Sequence, residues 1–246
     1  MNRRSFEALA AHHGVEAIVE GLRPFVSEPR QQRIDAVLRG RLRSLEVAVE
    51  HPYDPHNAAA VVRSAEALGA WAVHVIAASE GILRARGTTT GTHHWIETRH
   101  YRKRDGHDRE CADGLADFFA VQREAGMLVA GACVDAEHML EDLPIDRPIC
   151  LLFGNEHAGL SAAAQAACDL RFRIPIHGFA ESYNLSVAAA LSLYATSSRR
   201  RAWLGAEGDL DDAERELERA RCYFRTVDPR HAQLLFPMPD GASRLE

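Results

Sequence analysis

The sequence predicts an α/β protein built on a mostly parallel sheet, and three observations carry that expectation. Short apolar runs alternate with stretches of helical periodicity, the pattern of strand–helix–strand units. The runs at residues 45–49, 71–77, 127–134 and 148–153 are largely apolar, as buried strands are, and the shorter run at 170–175 reads as a last strand. Two of them lead directly into polar loops carrying glycine, and such sheets bind ligands at the carboxyl ends of their strands. With 246 residues the chain can form one sizeable domain with helical extensions, or two small domains.

Taken in order, residues 1–43 read as two short helices separated by Gly21 and Pro24. Arg33, Ile34, Val37, Leu38 and Arg41 fit one amphipathic helix with a basic side and a narrow apolar one. This segment has too few apolar residues for a core of its own and is expected to be an extension. After the strand at 45–49, Pro52 and Pro55 forbid further pairing, and Pro55 can open a helix with Asn57 in its first turn. Ala59, Ala60, Val62, Ala65, Ala67 and Leu68 give helical spacing, and Gly69 ends it. Arg63 lies mid-helix, about 240° around the axis from Asn57.

The next strand, 71–77, precedes a loop at 81–95 whose Gly87, Thr88, Thr89, Thr90 and Gly91 suit either phosphate contact or a plain connection. A helix at 112–125 and a strand at 127–134 follow. The strand at 148–153 enters Gly154-Asn155-Glu156-His157-Ala158-Gly159, with Ser161 placed to cap the next helix. This loop is neither a P-loop nor a G-x-G-x-x-G fingerprint. The last strand, 170–175, feeds a loop containing Pro175 and Gly178. From Asn184 to Tyr194 nearly every position is small or apolar, which predicts a helix buried on almost all sides. Ser182 and Asn184 stand where side chains cap free N–H groups. An acidic helix at 209–224 and a disordered terminus, 237–246, complete the chain.

Composition narrows the function. Hydrophobic content of 46% and charged content of 26% are those of a soluble globular protein, and no apolar run approaches membrane-spanning length. The N-terminus lacks the apolar core and cleavage site of a secretory signal, so a cytoplasmic location is expected. The five cysteines are scattered and form no C-x-x-C pair, and the thirteen histidines lack helical ligand spacing; no metal is expected. A net charge of −6 argues against a protein that coats nucleic acid indiscriminately. The cations nonetheless cluster: Arg23 to Arg43, then Arg99, Arg102, Lys103 and Arg104, then Arg199, Arg200 and Arg201. Three clusters in an acidic chain favour localised phosphate contact.

Three motifs stand in a telling order. Asn57, Arg63 and Gly69 form N-x(5)-R-x(5)-G, residues 153–159 read F-G-x-E-x-x-G, and Ser182, Asn184 and Ser186 form S-x-N-x-S. Together they resemble the motifs of the SpoU family of RNA 2′-O-methyltransferases, in its TrmH branch, over roughly residues 45–201. The resemblance implies a SPOUT-type fold: a mostly parallel sheet with helices on both faces and a C-terminal trefoil knot, plus helical N- and C-terminal extensions. Its expected division is 1–43 as a basic RNA-binding extension, 44–201 as the catalytic domain and 202–246 as a helical tail.

The same resemblance implies S-adenosylmethionine as methyl donor, an RNA substrate and a homodimer. Carried over by position, it assigns cofactor contacts to Ala132, Gly154, Ile174 and Tyr183, the last standing where relatives carry leucine. It assigns catalytic roles to Arg63, Asn57, Glu156, Ser182 and Asn184. Arginine is a poor base because it stays protonated, so Arg63 is expected to orient the target phosphate and hydroxyl, with Glu156 fixing its guanidinium. Arg33, Arg41, Arg199 and Arg200 are the expected RNA contacts. The short arm favours a guanosine ribose in the tRNA D-loop, while Asp54 resembles relatives that modify rRNA. An rRNA enzyme and an inactive RNA-binding relative are the alternatives.

Overall fold

The computed structural model describes residues 3–77, 91–102 and 112–239. The threonine-rich stretch at 81–90, Lys103 and Arg104, and the terminal residues 240–246 lie outside the described residues. Three helices begin the chain: α1 (Arg3–His13), α2 (Val15–Leu22) and α3 (Glu28–Arg39). Then come β1 (Leu42–Glu50), α4 (Pro55–Ala67), β2 (Ala70–Ile76) and β3 (Glu97–Tyr101). They are followed by α5 (Ala112–Glu124), β4 (Leu128–Ala132), β5 (His138–Met139), β6 (Ile149–Phe153), α6 (Ala162–Ala167) and β7 (Leu170–Arg173). The last elements are α7 (Leu185–Leu204), α8 (Asp212–Thr226) and α9 (Pro229–Leu235).

Residues 42–206 form one compact unit, whose seven strands are ordered β3-β2-β1-β6-β4-β7-β5. Every pairing among them is parallel. The period of two sorts the strands' side chains onto two faces. Val47, Val49, Val73, Val75, Leu151 and Phe153 share one core with Val61 and Val62 of α4 and Ala189 and Leu193 of α7. Ala48, Cys150, Leu152 and Val129 share the other with Phe118 of α5 and Ala164 of α6. Each fully buried side chain of this size contributes roughly 1.5–3 kcal/mol, so burial on two faces holds these strands.

The second face also encloses a polar group absent from the sequence reading. His74 Nε2 meets Glu46 Oε2 at 2.7 Å, Gln122 Nε2 donates to the same oxygen at 3.2 Å, and His74 Nδ1 lies 3.1 Å from the Tyr101 hydroxyl. Burial raises the Glu46 carboxyl, but the bonds from His74 and Gln122 and the nearby charges outweigh it and hold the group below the usual range. Burial pushes the Tyr101 hydroxyl up to about 12 and the neighbouring Cys150 thiol well above its ordinary value. Thiol and phenol are therefore neutral beside the one carboxylate.

The other unit joins residues 1–41 to 207–246. Phe6, Leu9, Ile18, Val19, Leu22, Ile34 and Leu38 are buried, as are Ala220, Tyr223 and Phe224 of α8. The expected separation at Gly21 and Pro24 is present, a 3₁₀ turn at Arg23–Phe25 dividing α2 from α3, and a further break falls at Gly14, whose φ of 86° precedes α2. At Gly21, the last residue but one of α2, a Cβ would come within 2.7 Å of the Phe236 ring. Arg41 also departs from expectation: α3 ends at Arg39, and Arg41 is 5% exposed rather than displayed on a basic face. Arg33 is exposed on α3. No described helix is long and apolar enough to cross a membrane.

Two further expectations change in α7. The helix is apolar all round but not buried all round: Ala189 and Leu193 face the core, while Val187, Leu191 and Tyr194 are 45%, 42% and 64% exposed. Arg199 and Arg200, expected at RNA phosphates, are engaged inside the unit. Arg199 donates to the carbonyls of Leu140 and Leu143, and buried Arg200 donates to Ser44 Oγ and the Ile145 carbonyl. Arg200 also lies 4.8 Å from the centre of the Trp203 ring. These guanidiniums satisfy carbonyls that end a 3₁₀ turn and the loop after it, where no strand partner is available.

Candidate functional site

The carboxyl ends of β4, β6 and β7, adjacent in the sheet, open into one cavity of 350 Å³. Its wall includes Ala132 at the end of β4, the loop from Gly154 to Gly159 after β6, and Ile174, Ser182 and Tyr183 beyond β7. All four expected cofactor contacts thus line a single space, together with Glu156 and Ser182. The size and apolar lining with a few converging polar groups suit a small organic ligand.

The Gly154 loop closes so tightly that a Cβ on Gly154 would overlap the backbone of Gly159 and Leu160. Asn155 and Gly159 bond backbone to backbone in both directions, at 3.0 and 2.9 Å. The Asn155 side chain, which the sequence reading did not single out, holds this loop in register. Its Oδ1 accepts from the N–H groups of His157 and Ala158, and its Nδ2 donates to the His51 carbonyl at 2.7 Å. His51 has φ 46°, a left-handed conformation that costs a residue with a side chain about 1–3 kcal/mol. Its own N–H donates to Ile76 at 2.8 Å, so both sides of the peptide fix the turn. At the loop's far end Ser161 caps α6 and donates N–H and hydroxyl to Glu50, the last residue of β1.

A hydrogen-bonded chain then links the three motifs. The Glu156 carboxylate accepts from the N–H groups of Tyr53 and Asp54 and, at 2.8 Å, from Asn57 Nδ2. Asn57 Oδ1 accepts from Asn184 Nδ2 at 3.2 Å. Asn184 Oδ1 takes the Ser186 N–H and hydroxyl and so caps α7. Donor and acceptor assignments alternate along the whole run, which fixes both amides. Glu156 therefore holds the β1–α4 turn and Asn57, not Arg63 as expected.

Burial raises the Glu156 carboxyl, but the bonds from Asn57, Tyr53 and Asp54 outweigh it, and the net shift is downward from 4.5. A depressed folded value contributes stability that is present above about pH 4.5 and lost as the pH falls through that depressed value. Glu156→Gln puts an amide donor against three donors. We expect it to lower the thermal midpoint at pH 7 by roughly 2–5 °C. The gap from the parent should close as the pH falls below 4.5, which melting curves taken across acidic pH measure.

Arg63 projects from α4, exposed, and makes no hydrogen bond or ion pair among the described residues. It does not line the cavity of its own chain. Ser182 lines the cavity and is likewise unbonded among the described residues, so capping of α7 falls to Asn184 alone. Asp54 has a local role: its carboxylate accepts from His56 N–H and caps α4. The site therefore offers a shaped cavity, a free hydroxyl and a braced carboxylate. A guanidinium stands free one helix away, on an element packed against α7.

Comparison with known proteins places this geometry. The SpoU rRNA Methylase family matches residues 44–194. The tRNA (guanosine(18)-2′-O)-methyltransferase of Borreliella burgdorferi is 31% identical over 207 residues, covering 84% of this chain and 89% of that protein. The A. aeolicus TrmH/SpoU tRNA modifying enzyme superposes with a TM-score of 0.68 at 24% identity, over 82% of this chain and 98% of that one. The SpoU methyltransferase AviRb of Streptomyces viridochromogenes, solved with AdoMet, gives 0.55 at 29% identity, over 66% of this chain and 60% of that one.

Proposed function

This chain belongs to the SpoU rRNA methylase family, and on that premise we propose that it methylates the ribose 2′-hydroxyl of a guanosine in the tRNA D-loop, using S-adenosylmethionine. The observation that carries the reading is the cavity at the ends of β4, β6 and β7, with all four cofactor positions on its wall. Its fit to the donor rests on two features. Gly154 leaves no room for a side chain, so backbone lines that wall, and the Ser182 hydroxyl is unsatisfied among the described residues. Bound there, S-adenosylmethionine supplies an electrophilic methyl group. Ala132, Gly154, Ile174 and Tyr183 hold the donor, Ile174 and Tyr183 largely through main-chain groups.

Ser182 and Asn184 position the target ribose at the start of α7. Asn57 and Glu156 keep the three loops in register, so the reacting atoms meet at fixed distance, which supplies much of the rate. Arg63 orients the phosphate and hydroxyl of the acceptor nucleotide as a cation, and Arg33 on the exposed side of α3 contacts RNA phosphate. The tRNA substrate is supported by the Borreliella relative, whose match extends well beyond the family region. Asp54, the residue that pointed toward rRNA, is accounted for as a helix cap. The protein works in the cytoplasm with its RNA.

We also infer a knotted C-terminus and a homodimer. The chain leaves β7 near one edge of the sheet and returns in α7 to pack on central β1 and β6, a path suited to threading. The dimer is supported by Val187, Leu191 and Tyr194, an exposed apolar stripe at helical spacing on α7. Leu191→Arg with Tyr194→Asp is expected to sediment as a monomer where the parent sediments as a dimer. The function itself is tested by nucleoside mass mapping of tRNA and rRNA from a deletion strain. Loss of 2′-O-methylguanosine from tRNA is the expected result; unchanged tRNA refutes it.

A further inference from the structure

Tyr53 is held in place by its backbone while its ring is left open. Its N–H donates to Glu156 at 2.7 Å, yet the residue is 73% exposed and its hydroxyl makes no hydrogen bond among the described residues. The ring meets the exposed His157 ring in a T-shaped contact, centroids 4.9 Å apart at 77°. His157 lies on the cavity wall, and its own N–H is fixed by Asn155 at 2.9 Å. Two aromatic rings therefore stand on two clamped turns at the rim of the cavity. A T-shaped contact occupies at most one face of each.

A large exposed aromatic side chain is disfavoured by water unless something covers it, and here its conformational freedom is already restricted. The reacting ribose must reach the cavity, so its base must lie outside, beside the rim. Unstacked RNA bases are commonly received on tyrosine and histidine rings. We propose that Tyr53, braced edge-on by His157, stacks the base of the nucleotide whose ribose is methylated. This assigns Tyr53 a role in substrate binding, resting on the methyltransferase reading above.

The test uses the full-length protein and an unmodified tRNA transcript, with 2-aminopurine replacing the acceptor guanosine in the binding arm. For Tyr53→Ala, binding of the transcript should weaken on the order of tenfold, with KM rising accordingly. Quenching of the 2-aminopurine should be lost, while S-adenosylmethionine affinity by calorimetry stays within twofold. Tyr53→Phe, which keeps the ring, should restore both quenching and KM. The proposal is overturned if Tyr53→Ala quenches and binds like the parent, or if its main defect is in S-adenosylmethionine affinity, which would place the ring over the donor. If the unsubstituted protein fails to methylate the transcript, the functional reading falls first and this one with it. A methylating parent with an indifferent Tyr53→Ala removes this inference alone.

Discussion

Arg63→Ala should lower methyl transfer at saturating substrates by at least about a hundredfold, with S-adenosylmethionine affinity within about twofold of the parent. Both halves of that expectation come from where the side chain is. Arg63 lies outside the cavity wall, so its loss leaves the donor site untouched. It has no hydrogen bond or ion pair among the described residues, so its loss should shift the melting temperature by less than about 1 °C. The role proposed for it is an interaction with the RNA, made as the reaction's charge develops. Arg63→Lys should recover little, because an ammonium lacks the planar fork that grips phosphate and hydroxyl together. Single-turnover rates with bound donor measure the effect, and near-parental turnover would remove Arg63 from the reaction.

The second large effect is expected from Gly154→Ala. The added methyl would overlap the main chain of Gly159 and Leu160, which cannot swing aside as a side chain tip does. The paired bonds between Asn155 and Gly159 must open, and with them the Asn155 clamp on His51. We expect a loss of roughly 2–3 kcal/mol, or about 5–12 °C in melting temperature, and at least tenfold weaker S-adenosylmethionine binding by calorimetry. Gly159→Ala is the informative contrast. That glycine has φ 68° with nothing within 4 Å of a Cβ, so it should cost only the strain of a left-handed alanine, about 1–2 kcal/mol.

The central strands were legible because burial on both faces writes itself as a continuous apolar run. β3 was not: Glu-Thr-Arg-His-Tyr is polar and only half-buried at the sheet edge, so it read as part of a basic cluster. Two-residue β5 and the seven-residue α9 are too short to show a period. Within the site, the resemblance of the three motifs to the SpoU family pointed to Asn57, Glu156, Ser182, Asn184 and the positions that line the cavity. The pairing of Glu156 with Arg63 does not form within the chain, since a carboxylate that holds Asn57 faces the wrong side of α4 for a residue about 240° away. Arg41, Arg199 and Arg200 misled for another reason. A run of cations looks the same whether it meets phosphate or carbonyl oxygens, and the carbonyls at Leu140, Leu143 and Ile145 end structures that leave no local signature.

The joining of residues 1–41 with 207–246 into one unit sets a timetable for synthesis. The first helices leave the ribosome with Phe6, Leu9 and Ile18 uncovered, and their partners in α8 do not yet exist. Translation at about 5–20 residues per second puts the wait at on the order of ten to forty seconds. For that interval the first helices lack the surface that buries them, and the unit can close only once α8 has been made.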